Sequence, residues 1–192
     1  MPKSVLFDRE DVLKKVTQLF WSKGYNGTSM QDLVDVTGLN RSSIYNSFGD
    51  KFNLYEESLK YYQKLQQDKL STYFDEGKSP KQKIITFFEG TATEIMHKEG
   101  SSGCFMSNCT TELATSNAQI HDFLVRNKET VTSLFRDLIL EGQHHGEIDP
   151  KKSADDLATY LFSSLQGLRV TGILESKPAA VQGIVRQTLS AL

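Results

Sequence analysis

The stretch TGLNRSSIYNSFGDK, from Thr37 to Lys51, concentrates side chains that can form directed hydrogen bonds. Arg41 carries a planar fork of donors, Tyr45 carries a hydroxyl on a rigid ring, and Asn46 can both donate and accept. A helix that is merely solvated would more usually carry Lys and Glu. This composition offers a binding partner directed hydrogen bonds and a planar ring.

The two cysteines of the chain, Cys104 and Cys109, lie in a second unusual stretch, SGCFMSNCTTELA. A thiol at a helix N-terminus can have a lowered pKa, which favours reaction with electrophiles or oxidants. Their separation of five residues places the thiols too far round a regular helix for an easy disulfide. The alternative is that both cysteines are buried and act as small apolar residues.

The segment EGQHHGEID offers four possible metal ligands, His144, His145, Glu147 and Asp149. Adjacent histidines on a helix project about 100° apart, so one helix cannot direct both at one ion without unwinding. Histidines before Gly146 also suit the negative end of a helix dipole. We therefore expect no metal and no cofactor. The sequence has no phosphate-binding glycine loop, nucleophile elbow or zinc-protease motif, so we do not expect an enzyme.

The composition is that of a globular protein, with 38% hydrophobic and 24% charged residues in a chain of 192. The net charge of −2 does not by itself indicate a nucleic-acid partner. No apolar run approaches the roughly 20 residues that span a bilayer, and the acidic start MPKSVLFDRED lacks the apolar core of a secretory signal. We expect a cytoplasmic protein without a membrane partner.

Apolar residues recur at intervals of three and four, which predicts an all-α protein of about nine helices. The first helix should span residues 9–23, with Asp8 as its N-cap and Gly24 as its stop. A second should open with a capping box formed by Thr28 and Gln31, and a third should be capped by Asn40 and close near residue 49. The remaining helices are predicted over 50–74, 80–98, 104–114, 118–141, 153–171 and 178–192, and Gly77 is the first helix breaker after the long helix that begins at residue 50.

The second and third helices are short and separated by TGLN, which is the spacing of a helix-turn-helix. In the third helix Ile44 and Phe48 share one face, while Ser42, Ser43 and Asn46 project from the opposite face. A helix of this size fits the major groove of B-DNA, which is about 12 Å wide. The alternative is an ordinary corner between two helices whose hydroxyl residues only cap and solvate, and spacing alone does not decide between them.

The longer stretch VTQLFWSKGYNGTSMQDLVDVTGLNRSSIYNSFGDKFNLY resembles the N-terminal domain of the TetR family of bacterial transcriptional repressors (TetR/AcrR-like). The matching positions are Phe20, Gly24, Tyr25, Thr28, Ser29, Leu33, Val34, Gly38, Tyr45, Phe48 and Lys51. The close match covers about residues 9–55, and beyond it the similarity is one of length and all-helical layout. The resemblance implies a helix-turn-helix DNA-binding domain over 1–51 and an effector-binding and dimerisation domain over 52–192.

The resemblance also implies which residues touch DNA, with the recognition helix at 40–47. Arg41 is the residue best able to specify a base, and a phosphate contact is the equal alternative for it. Tyr45 corresponds to a tyrosine that meets a phosphate, and Ser47 departs from a position where histidine is common. The full set of expected contacts is Thr28, Ser29, Gln31, Arg41, Ser42, Ser43, Tyr45, Asn46, Ser47 and Lys51. The expected partner is a palindromic double-stranded DNA operator.

The rest of the chain is expected to bind a small-molecule effector and to form a homodimer through the last two helices. The residues expected in the dimer interface are Leu161, Leu165, Leu168, Ile184 and Val185, although part of that stripe must be intramolecular core. The residues expected in the effector pocket are Phe88, Met96, Cys104, Phe105, Asn108, Phe123 and Tyr160, although residues of this character more often form plain core. Their character predicts an apolar or amphipathic effector. Two alternatives stay open, a thiol-based electrophile- or redox-sensing repressor that uses Cys104, and a helical adaptor without specific DNA binding.

Overall fold

The computed structural model describes residues 7–74, 77–97, 103–175 and 177–192, and over these residues the chain forms nine α-helices and no strand. The helices are α1 (Arg9–Lys23), α2 (Met30–Thr37), α3 (Arg41–Phe48), α4 (Lys51–Tyr73), α5 (Pro80–His97), α6 (Phe105–Leu113), α7 (Ala118–His144), α8 (Ala154–Leu174) and α9 (Pro178–Leu189). The all-α prediction is confirmed. No helix among the described residues is long and apolar enough to cross a membrane.

Local capping fixes the ends of the first three helices. The Asp8 carboxylate accepts from the backbone N–H of Glu10 at 2.9 Å, and the Asn40 side chain accepts from the N–H of Ser43 at 2.8 Å. Gly38 ends α2 with φ of 71°, a left-handed conformation that favours glycine. The predicted limits of α1 and α3 are therefore confirmed.

The predicted start of α2 is wrong by one residue. Ser29, not Thr28, is the N-cap, and it forms the capping box with Asp32 rather than with Gln31. Thr28 is buried, and its hydroxyl donates to the carbonyl oxygen of Gly24 at 2.7 Å. The preceding turn thus uses Thr28 internally, which leaves the next hydroxyl residue to cap the helix.

The longer helices depart modestly from their predicted lengths. Helix α4 ends at Tyr73, one residue before the end of its predicted stretch, and Phe74 packs on Phe87 of α5 at a ring separation of 6.3 Å. Helices α7 and α8 extend three residues beyond their predicted ends, to His144 and Leu174. Residue 98, the predicted end of α5, lies outside the described residues.

Two hydrophobic clusters organise the molecule. The first contains buried residues of α1–α4 together with α6, including Phe20, Ile44 and Phe105. The second is formed by α5, α7, α8 and α9, including Phe88 and Leu161. Helix α6 lies in the C-terminal part of the chain, yet it packs in the N-terminal cluster. It is therefore a physical link between the two parts.

Candidate DNA interface and effector cavity

Helix α3 is buried along one face and exposed along the other. Ile44 is fully buried and Phe48 nearly so, whereas the Tyr45 side chain is 48% exposed. The residues that remain exposed beside Tyr45 are Gln31 of α2 and Arg41, Ser42 and Asn46 of α3, and we call these five residues the recognition surface. This surface offers donors, acceptors and a planar ring, which are the kinds of group that bind base edges and phosphates.

Side chains of the recognition surface are held in position by their neighbours. A guanidinium nitrogen of Arg41 donates to the side-chain Oε1 of Gln31 at 3.4 Å, and the side-chain Nε2 of Gln31 donates to the Asp35 carboxylate at 2.8 Å. Arg9 supports the far end of α3, because it donates to the Ser47 carbonyl oxygen at 3.0 Å and stacks over the Phe48 ring. The same guanidinium pairs with Glu57 of α4 at 2.6 Å.

Four of the predicted DNA contacts are buried, half-buried or used in a helix cap. Thr28 is buried, and Ser29 caps α2 with its hydroxyl donating to Asp32 at 2.7 Å. Ser43 and Ser47 are half-buried at the edges of α3. The structure therefore does not bring Thr28 to the surface formed by Gln31, Arg41, Ser42, Tyr45 and Asn46.

Lys51 lies at the first turn of α4 beside the turn that joins α1 to α2. Its ammonium group is 4.3 Å from the centre of the Tyr25 ring, a cation–π contact that orients it. Burial lowers the pKa of Lys51 from its ordinary value, while the carboxylates of Glu112 and Asp32 act in the opposite direction. Lys51 is half-buried.

A cavity of about 140 Å³ lies between α4, α5, α7 and α8. Its apolar wall includes Trp21, Tyr62, Phe87, Val131, Leu134 and Phe162. Its polar wall includes Gln63, Gln66, Glu94, Asn127, Gln166 and Arg169. We call this cavity the effector cavity, because it is the candidate site for an effector. Trp21 belongs to α1, so one wall of the cavity comes from a helix that packs with α2 and α3.

Of the residues predicted for the pocket, Cys104 lines this cavity. Phe88 and Phe105 are fully buried in the two hydrophobic clusters, with Met96 and Phe123 packed against them. Tyr160 is exposed on another face of the molecule, and Asn108 is not among the lining residues. Aromatic character could not separate cavity wall from solid core, because both are apolar and only packing distinguishes them.

Cys104 is the N-cap of α6 and is surrounded by donors. A guanidinium nitrogen of Arg169 lies 3.2 Å from its Sγ, and the Tyr62 hydroxyl donates to it at 3.6 Å. Burial alone would raise the pKa of Cys104, but Arg169, the backbone N–H of Ser107 and Tyr62 together hold it below its ordinary value. Burial raises the pKa of Cys109 to about 11, so the two thiols differ in kind.

The predicted dimer residues fall on two sides of α8 and α9. Leu161, Leu165, Leu168 and Val185 are buried within the subunit, so much of the predicted stripe is intramolecular core, although Leu168 also lines the groove that Ile184 borders. Ile184 is half-exposed and borders a shallow groove. We call this the α8/α9 face, and it consists of Tyr160, Ser164, Gly167, Thr171, Ile184 and Gln187.

Among the described residues no group of three or more histidine, cysteine, aspartate or glutamate side chains could hold a metal ion. A helix-turn-helix with an exposed polar recognition helix, attached to a helical body that contains a cavity, defines the class of DNA-binding regulators. Residues 12–58 match the family of bacterial regulatory proteins called tetR, and residues 80–188 match the tetracyclin repressor-like C-terminal domain. The second match covers more than half of the chain, and the chain therefore belongs to the TetR family of bacterial transcriptional regulators.

Similar proteins are regulators as well. The chain is 29% identical over 167 residues to the HTH-type transcriptional repressor ComR of Escherichia coli, covering 86% of this chain and 80% of ComR. It is 29% identical over 160 residues to the repressor DhaR of a Mycobacterium species, covering 83% and 79% of the two chains. Its fold matches a cysteine mutant of the TetR family regulator CifR solved with a 26-bp operator DNA, with a TM-score of 0.83, 23% identity and coverage of 100% and 99%.

Proposed function

We propose that the protein is a dimeric repressor that binds a palindromic operator in the cytoplasm and is released by a small amphipathic molecule. The observation that carries this proposal is the double role of α1 and α4. Both helices form the core beneath the recognition surface, and both supply walls of the effector cavity, through Trp21 and Tyr62 respectively. A molecule in the cavity would therefore press directly on the helices that support α3.

On the DNA, Arg41 and Gln31 would enter the major groove while Tyr45 and Lys51 meet phosphates on its edges. Arginine reads guanine through two parallel hydrogen bonds, and its contact with Gln31 already restricts its conformations. A lysine at the N-terminus of a helix adds its charge to the helix dipole, which favours a phosphate at that point. The slight charge of the chain makes these local contacts, rather than a broad basic surface, responsible for affinity.

The operator is testable by selection of duplexes from a random pool with the purified protein, followed by a salt titration. We expect a palindrome whose half-sites are centred about one helical turn apart, since a twofold dimer presents two recognition helices. The logarithm of the binding constant should fall linearly with the logarithm of salt concentration. Recovery of random sequence, or no binding at low salt, would refute the operator proposal.

The effector is expected to be amphipathic because aromatic rings and amide or charged groups share the cavity wall. Trp21 is the only tryptophan in the chain, so its fluorescence reports occupancy. A panel of small amphipathic aromatic compounds can be titrated while Trp21 fluorescence and operator anisotropy are recorded together. Compounds that quench Trp21 should release the operator.

Val131→Phe should block both effects by filling the cavity, while Val125→Phe on the exposed side of α7 serves as the matched control. A compound that releases the operator equally well from the Val131→Phe variant would show that it acts outside the cavity.

A second candidate function is favoured by the surroundings of Cys104. A thiolate there could add to the β-carbon of an α,β-unsaturated carbonyl, forming a C–S bond while the electron pair passes to the carbonyl oxygen and the α-carbon takes a proton from water. Arg169 and Tyr62 lie beside the sulfur and could donate to that oxygen. The adduct would occupy the effector cavity, so it would press on α1 and α4 as a reversibly bound effector would.

N-ethylmaleimide tests this candidate directly. Operator release by the reagent should be lost in Cys104→Ser, while Cys109→Ser should respond as the natural chain does. Both variants should bind the operator normally without the reagent. Release that persists in the double variant would refute thiol sensing and leave the reversible effector.

A further inference from the structure

Helix α6 makes a polar contact with the DNA-binding unit that the recognition surface does not include. The two oxygens of Glu112 accept from the backbone N–H groups of Tyr25 and Asn26, at 3.0 and 2.8 Å. These donors belong to the turn over residues 24–27 that joins α1 to α2. The contact bridges 86–87 residues of sequence and joins the two parts of the molecule.

The turn is shaped to receive this carboxylate. Gly24 has φ of 75°, and a Cβ at that position would lie 2.8 Å from a Glu112 oxygen. Glycine therefore serves twice, since it adopts a conformation that other residues rarely adopt and leaves room for the carboxylate. Hydrogen bonds to a charged acceptor are stronger than those between neutral groups, so the pair forms a firm attachment.

The attachment lies between the effector cavity and two parts of the helix-turn-helix unit, Lys51 and the start of α2. Cys104, at the start of α6, lines the cavity, and Glu112 lies near the other end of the same short helix. On the side of the turn away from the cavity, the Lys51 ammonium group lies 4.3 Å from the centre of the Tyr25 ring. The same turn leads directly into Ser29, the N-cap of α2.

Aromatic contacts run alongside this polar link. Phe105, the residue after Cys104, packs edge-on against Tyr55 of α4 at 5.5 Å, and Tyr55 packs against Tyr25 at 5.0 Å. The apolar contacts resist compression but allow rings to slide, whereas the two hydrogen bonds of Glu112 fix direction. A displacement of α6 would therefore reach the turn chiefly through Glu112.

We propose that Glu112 is a positioning residue that fixes the helix-turn-helix unit relative to α6 and transmits movement of α6 to it. This inference rests on the proposed operator binding. It also predicts something that operator binding alone does not predict. Without Glu112, the helix-turn-helix unit of each subunit should adopt a wider range of positions. The protein should then discriminate less sharply between operators that differ in half-site spacing.

The test compares the selected operator with one that carries a single base pair inserted at its centre. The insertion moves one half-site by about 3.4 Å and rotates it by roughly a tenth of a turn. The ratio of the two dissociation constants measures how firmly each helix-turn-helix unit is held relative to the rest of its subunit. We expect Glu112→Gln and Glu112→Ala to reduce this ratio at least threefold relative to the natural chain.

Glu112→Gln is the decisive variant, because its amide group has the shape of the carboxylate but presents a donor to one of the two N–H groups. Glu129→Gln, on the exposed surface of α7, is the charge-matched control and should leave the ratio unchanged. Exchange of the Tyr25 and Asn26 amide hydrogens should accelerate in Glu112→Gln, and circular dichroism should confirm that each variant is folded. An unchanged spacing ratio in folded Glu112→Gln and Glu112→Ala would overturn the proposal.

N-ethylmaleimide provides a second readout where the natural chain responds to it. With Cys104 modified to the same extent by mass spectrometry, Glu112→Gln should show a smaller fold-change in operator affinity than the natural chain. If the natural chain does not respond, the thiol candidate fails and Glu112 is judged by the spacing ratio alone. If no operator is recovered at all, the proposed function fails, and this outcome is separate from failure of the Glu112 inference.

Discussion

At the scale of single residues, contacts with the rest of the chain determine which polar side chains can meet a partner. Arg41 and Tyr45 project from α3 because Ile44 and Phe48 occupy the buried side. Thr28 is turned inward by its hydrogen bond to Gly24. The polar residues thus divide into those that hold the fold and those that remain available to DNA.

Arg41→Ala should reduce affinity for the selected operator by about 1–3 kcal/mol and relax preference at one base position, because a bidentate base contact is lost. Tyr45→Phe and Lys51→Ala should weaken binding to all sequences alike, and Lys51→Ala should flatten the salt dependence. Fluorescence anisotropy on cognate and scrambled duplexes checks both. Arg126→Ala, on exposed α7, is the control, and equal losses on both duplexes for Arg41→Ala would assign it to the backbone.

The pH dependence of thiol alkylation should distinguish the two cysteines. The lowered pKa of Cys104 means that its thiolate is present at lower pH than for an ordinary thiol, so the reaction of Cys104 with iodoacetamide should begin at lower pH than that of an ordinary thiol. Cys109, with its pKa raised to about 11, should react appreciably only at much higher pH. Rates measured by mass spectrometry on each single Cys→Ser variant give the two profiles.

Arg169→Gln should move the Cys104 profile to higher pH, because it removes the cation that favours the thiolate, while Arg126→Gln should leave it in place. Identical profiles for the natural chain and Arg169→Gln would show that Arg169 does not control the thiol.

At the scale of elements, among the helix-ending glycines with positive φ, Gly24 and Gly38 differ in their surroundings. A Cβ added at Gly38, where φ is 71°, would meet no atom within 4 Å, whereas one added at Gly24 would lie 2.8 Å from Glu112. Gly38→Ala should lower the free energy of unfolding by about 1–2 kcal/mol through backbone strain alone. Gly24→Ala should cost distinctly more, since it adds a collision. Urea unfolding measures both changes in the free energy of unfolding. Equal changes would show that the turn accommodates the added Cβ at Gly24 without further cost.

At the scale of the whole molecule, the buried and exposed sides of α8 and α9 predict opposite outcomes for similar substitutions. Ile184→Asp changes the half-exposed α8/α9 face and should give folded monomers if this face forms the dimer. Leu165→Asp places a charge in a residue that is 2% exposed, so it should unfold the subunit. Sedimentation and circular dichroism separate the two results.

Gly167→Arg offers a gentler test of the same face, because a Cβ at Gly167 meets no atom of its own subunit within 4 Å. The variant should fold normally and sediment as a monomer. A natural chain that is monomeric at micromolar concentration would refute the dimer, and a dimeric Gly167→Arg variant would place the interface elsewhere.

The features that could be predicted from the sequence are those that depend on neighbours along the chain. Caps at Asp8 and Asn40, the glycine stops and the apolar spacing of α3 are local interactions, and they specified the helix-turn-helix and its outward side. The choice between Thr28 and Ser29 as a cap was beyond the sequence, since either hydroxyl suits the role locally. Packing of the turn decided it.

Tertiary structure alone decided the features that join distant segments. Periodicity shows that Leu165 and Ile184 are apolar but not which lies inside the subunit, because that depends on the helices packed against them. The cavity collects Trp21, Cys104 and Arg169 from three separate helices or their caps, and no spacing along the chain records such a meeting. Glu112 reaches the turn of α1 and α2 for the same reason, since its hydrogen bonds exist only once α6 has packed into the N-terminal core.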